Sequence, residues 1–177
     1  MDMAWAFSLS AECGSDERDA RQFAEYFEGI SYLLSNGCEC KCCTDLFQDL
    51  EENWWCRVGF NHLSEVGIES AESAYLMTEL GILLYQSLQF ATTFRYALVG
   101  VEVDEFRTYS ELMEELPSLL IPGLVVARSF EQELGMLSGF RAFSADYIWQ
   151  PYGGDVYNPL MVSPILKNKL DELLSVG

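Results

Sequence analysis

Four residues carry the spacing of a metal site. Cys40 and Cys43 form C-x2-C, Cys56 follows after twelve residues, and His62, the single histidine, after five more. Thiolate and imidazole are the ligand types of structural zinc, and these intervals suit a closed tetrahedron. Zinc is thus the one cofactor that the sequence suggests, and a zinc-stabilised domain is the alternative reading of the whole chain. The competing reading is core packing, since reduced cysteines are among the most buried residue types. A thioredoxin-like role for Cys40 and Cys43 fits less well. That motif belongs at a strand-to-helix step, and Lys41 and Cys42 crowd the interval.

A second cluster is acidic. Glu102, Asp104 and Glu105 close the apolar run that begins at Phe94. Carboxylates at a strand end can hold a hard cation or serve as acid and base, which makes a Mg-dependent enzyme a remote alternative. On extended chain Glu102 and Asp104 share a face and Glu105 does not. No second histidine and no phosphate-binding loop accompanies them. The plain reading is a solvated strand end that contributes to an acidic surface.

Nucleophilic catalysis is poorly supplied. With one histidine, any Ser or Cys nucleophile must use His62, and its nearness to Cys56 in sequence does not set their geometry. Neither a nucleophile elbow nor a dinucleotide fingerprint occurs. The expectation is a protein that is not an enzyme.

Tyr147, Trp149, Tyr152 and Tyr157, around Gly153 and Gly154, read as an aromatic hairpin. Tyrosine and tryptophan are enriched at interface hot spots, so these rings are candidate binding residues. They suit strand packing equally well. A nucleic-acid role is disfavoured, because no basic groove accompanies the rings.

Charge is the strongest global signal. There are 28 Asp and Glu against 10 Lys and Arg, a formal net charge of −18, spread along the chain rather than gathered in a tail. Half of the residues are hydrophobic and 14% are aromatic, which excludes a disordered acidic tail. Such a surface repels nucleic acid and anionic membrane and attracts basic proteins. The function expected is therefore that of a non-catalytic acidic binding protein, an inhibitor or immunity-type factor engaging a basic partner. The longest uncharged run, Gly81 to Phe94, falls short of the ~20 residues of a membrane span. The stretch Met1–Ala11 has no positive region to make it a signal peptide. A cytoplasmic, reducing location with unpaired cysteines is expected.

The elements that must position these groups make an α+β protein, one domain over residues 1–177, with a mixed or antiparallel sheet and helices packed mainly on one face. Ala4 to Ser10 alternates as a strand. A helix capped by Ser15 carries Ala20, Phe23, Phe27, Ile30 and Leu34 at helical spacing and stops at Asn36 and Gly37. The run Cys38 to Cys43 alternates, Asp45–Trp55 reads as a short amphipathic helix, and Cys56–Leu63 as a strand. Ser70 caps a long apolar helix from Ala71 to about Ala91, in which Gly81 marks the close approach of another backbone. Phe94–Val103 is apolar on both faces, as in a central strand. Shorter elements follow, and Ser163 with Pro164 opens a last helix.

Overall fold

A computed structural model describes residues 7–60, 71–153 and 163–175, with the side chains of 71–74 set aside. Its centre is an antiparallel sheet of eight strands. They are β1 (Phe7–Gly14), β2 (Ser31–Leu33), β3 (Glu39–Gln48), β4 (Trp54–Phe60), β5 (Tyr96–Val101), β6 (Val125–Ala127), β7 (Arg141–Ala142) and β8 (Tyr147–Trp149). The order across the sheet is β2-β3-β4-β1-β5-β6-β8-β7, so β1 and β5 are the central pair. The helices are α1 (Glu17–Phe27), α2 (Ala71–Leu88), α3 (Tyr109–Glu115), α4 (Ser129–Leu134) and α5 (Pro164–Leu174).

Strand alternation sorts the residues between two cores. On the first side, Phe7, Leu9, Ala11 and Cys13 of β1, Cys56 and Val58 of β4, and Ala97 and Val99 of β5 meet the apolar faces of α1, α2 and α5. On the second side, Trp55, Tyr96, Val126 and Ile148 meet Leu112 of α3, Leu116 and Phe130 of α4. The three longer helices thus share one face, and two short ones cover part of the other. Over β2 and β3 the second side carries Leu33, Glu39, Lys41 and Cys43, all exposed. Among the described residues no helix is long and apolar enough to cross a membrane.

Four sequence expectations are corrected. The first helix ends at Phe27, where the next residues turn through Gly29 at φ +86°, and Ile30 to Leu34 lead through β2. Asn36 and Gly37 are therefore a hairpin turn and not a helix stop: Asn36 Oδ1 accepts from Cys38 N at 2.9 Å and Gly37 sits at φ +88°. The cap of α1 is Asp16, one residue beyond Ser15. Asp45–Trp55 is no helix but the β3–β4 hairpin. Both sides of the sheet are covered there, so Leu46 faces the first core while Phe47 stacks on Trp55 across the second, and the two-sided pattern imitates helical spacing. Asp49 organises the turn, accepting from Glu51 N, Asn53 N and Trp55 Nε1. Gly81 lies against a side chain and not a backbone: a Cβ there would stand 2.9 Å from Tyr152 Oη. The Ser70 cap, residues 4–6 of the first strand and Leu63 lie outside the described residues, and β1 runs on to Gly14. The cap at Ser163 is as expected, its Oγ accepting from Leu166 N.

Candidate functional site

The three cysteines of the metal-like spacing are not brought together in space. Cys40 and Cys43 are three apart on β3, which places them on opposite faces of the strand, Cys40 buried and Cys43 exposed. Cys56 pairs across from Leu46, six residues along β3 from Cys40, or roughly 20 Å at the rise of a strand. Among the described residues no group of three or more His, Cys, Asp or Glu is placed to hold a metal ion. His62 lies outside the described residues. None of the six cysteines forms a disulfide. Burial, with nearby carboxylates adding to it, pushes the Cys56 thiol up to about 12, and burial with the neighbouring Cys43 does the same for Cys42. These are core groups with little thiolate at neutral pH.

The aromatic candidates are also core. Tyr147 and Trp149 are buried in β8, and Tyr152 is buried beyond it. Tyr147 stacks on Phe94 at 4.1 Å and donates its hydroxyl to Phe94 O. Trp149 packs on Tyr85 and Phe143. β8 pairs with β6 and with β7 before it. Tyr157 and the expected returning strand lie outside the described residues. Tyr147 and Trp149 suit the strand they stand in, and Tyr152 packs on Tyr85 in the core beside them.

The acidic turn is where separate elements converge. After β5, Glu102 and Glu105 adopt φ +54° and +46°, and the chain folds back over the second side of the sheet. Val103 thereby covers Gly100, with Cγ1 3.2 Å from where a Cβ would sit, so it leaves the face of Ala97 and Val99. Asp104 accepts from Ser10 Oγ on β1 at 2.9 Å and from Arg57 Nη1 on β4 at 2.5 Å, and Arg57 Nη2 also reaches Asp45 on β3 at 3.2 Å. Asp104 is thus an anchor, whereas Glu102 and Glu105 are exposed.

Beside this anchor lies a second one. Glu12 on β1 is 0% exposed and accepts from Nε and Nη2 of Arg95. Gly14 N donates to its Oε1 at 2.7 Å, across the bulge that ends β1. Arg95 lies 4.1 Å over the Tyr109 ring of α3. Burial holds the Glu12 carboxyl above its ordinary range, and Arg95 pulls it part of the way back. The chain then passes Phe106, whose ring meets Trp55 and Tyr96, and enters α3. Ser110 N donates to Glu51 Oε1 of the β3–β4 turn at 3.1 Å, which holds the Glu51 carboxyl below its ordinary range. Arg107 pairs with Glu115.

The result is one acidic side of the molecule, drawn from the β3–β4 turn, the turn after β5 and α3. Among the described residues, the arginines that reach into it, Arg57, Arg95 and Arg107, are each engaged by carboxylates. Glu52, Glu102, Glu105, Glu111 and Glu114 are exposed there and take part in no ion pair among the described residues. Sequence reasoning found Glu102, Asp104 and Glu105 but not Glu12, Asp45, Arg57, Arg95 or Glu111. A signal was present in Ser8, Ser10 and Glu12, polar residues alternating with Phe7, Leu9 and Ala11, which mark one face of β1 as polar.

The fold is that of an α+β protein with an antiparallel sheet. In comparison with family models, curated proteins and solved structures, the chain matches none.

Proposed function

We propose that the chain is a non-catalytic binding protein, of inhibitor or immunity type, that engages a basic protein through this acidic side. One observation carries the reading: carboxylates from three elements share one side, and the arginines among them are already engaged by other acids. A cationic partner therefore meets carboxylates with no cation of their own, and the net charge of −18 steers it there. Glu102 and Glu105 stand foremost, because Asp104 fixes their turn to β1 and β4. Such a face adds association rate and partner choice more than raw affinity. Six cysteines without a disulfide suit a reducing compartment such as the cytoplasm.

Capture from a lysate of the cells that make the chain tests this reading. At low ionic strength the immobilised protein should retain a basic protein, released as salt is raised. Recovery of no basic protein at low salt would overturn it.

A further inference from the structure

Glu79 of α2 is 0% exposed. Its Oε1 accepts from the backbone N–H of Ser35, in the β2–β3 turn, at 2.6 Å. Among the described residues its Oε2 has no hydrogen-bond partner, and it stands 3.6 Å from Nζ of Lys169 on α5. A buried carboxylate oxygen left without a donor is costly, and here the ammonium of another helix is what offsets it. That helix is weakly held. Of the eleven residues of α5, Leu166 and Leu173 are fully buried, while Ile165, Lys167, Asn168, Asp171, Glu172 and Leu174 are exposed. A helix of this length is marginal without its packing, and two buried leucines offset only part of the entropy lost in ordering eleven residues. It packs on α2, whereas β1 and β5 lie at the centre of the sheet.

We propose that α5 is a strap that opens as a unit while the sheet stays folded, and that Glu79 is the latch that sets how often it opens. Docked, Lys169 compensates Glu79. Open, Glu79 meets water and the α2 surface around it is uncovered. The charge, more than the packing, then decides the response to substitution. Lys169→Met keeps an aliphatic side chain but strands the Glu79 carboxylate, which favours the open state. Adding Glu79→Gln keeps an acceptor for Ser35 N and removes the stranded charge, which restores docking.

Native-state hydrogen exchange read by mass spectrometry tests this. In the wild-type protein, peptides covering 163–175 should exchange faster than those covering β1 and β5. Lys169→Met should speed 163–175 by roughly tenfold to a hundredfold, since Lys169 is 30% exposed and part of its charge is already in water, and should leave β1 and β5 unaltered. The double variant should return 163–175 towards the wild-type rate. Exchange of 163–175 in step with β1 and β5 in the wild type would overturn the proposal. So would a Lys169→Met effect that is absent or spread over the whole sheet, or a double variant that opens as readily as the single one.

Discussion

Arg95 and Glu12 tie the two central strands together from the second side of the sheet. Arg95 Nε lies 2.8 Å from Glu12 Oε1, Nη2 bonds Oε2, and the guanidinium rests on the Tyr109 ring. The pair joins β1 to the start of β5 and supports α3, on which part of the acidic side is built.

Arg95→Met should therefore cost about 3 kcal/mol at neutral pH. That is the low end for breaking a buried pair, since Arg95 is 35% exposed. The cost should depend on pH. The folded Glu12 carboxyl lies above its ordinary value of 4.5, so the native state binds that proton more tightly than the unfolded chain does. The stability it contributes is full below 4.5 and is lost as pH rises through the folded value. Without Arg95 the folded value climbs further. Urea unfolding should show a wider gap between variant and wild type at pH 8 than at pH 5; a gap that widens towards acid would count against this account.

Gly81 and Tyr152 should be coupled. Alanine at 81 gains about 1 kcal/mol of helix propensity, but its Cβ would lie 2.9 Å from Tyr152 Oη. Gly81→Ala should destabilise by about 1 kcal/mol in the wild type and by nothing, or less than nothing, in a Tyr152→Phe background. Gly123→Ala should be worse, near 3 kcal/mol, because φ is +92° and the Cβ would meet Tyr85 Oη at 2.3 Å. Thermal unfolding of the four-member cycle and of Gly123→Ala checks both.

The thiols should divide by burial. Cys38 and Cys43 are exposed; Cys13, Cys40, Cys42 and Cys56 are not. A colourless disulfide reagent that releases a chromophore should titrate two groups in the native protein and all six after denaturation. Added zinc should not protect Cys43, because Cys40 faces the other side of β3. Protection of Cys43 by zinc would revive the C-x2-C reading.

Glu102 and Glu105 should trade stability for binding. Both hold φ values that favour glycine. Glu102→Gly and Glu105→Gly should each raise stability by about 0.5–1 kcal/mol by relieving that strain, while weakening capture of the basic partner. Unfolding and binding measured on the same preparations check the opposite signs.

The central strand was legible because Tyr96 to Val101 is apolar on both faces, which is the mark of a strand covered twice. The last helix was legible from Ser163 and Pro164, whose signal is local. What misled was chemistry shared between structures. Asn and Gly end helices and also turn hairpins, so Asn36 and Gly37 did not choose between them. Leu46, Phe47, Leu50 and Trp54 fit a helical face, yet on β3 and β4 they divide between two cores, with Leu50 95% exposed in the turn. The acidic side was only partly legible, because Glu51 and Asp104 are placed by tertiary contacts with Ser110, Ser10 and Arg57 that no spacing in the chain records. Glu12 was hidden by its own burial, since an acid in a strand reads as exposed until its partner Arg95 is found.

Recognition through the acidic side is tested by binding of the captured basic protein to the wild type and to a Glu102→Lys, Glu105→Lys, Glu111→Lys variant, by titration calorimetry at low salt and at about 1 M salt, where the screening length falls to ~3 Å. Circular dichroism should show the two proteins equally folded, since all three residues are exposed. The wild type should bind tightly at low salt, and binding should be lost at high salt and lost in the variant. Equal affinity of wild type and variant for that partner would contradict it.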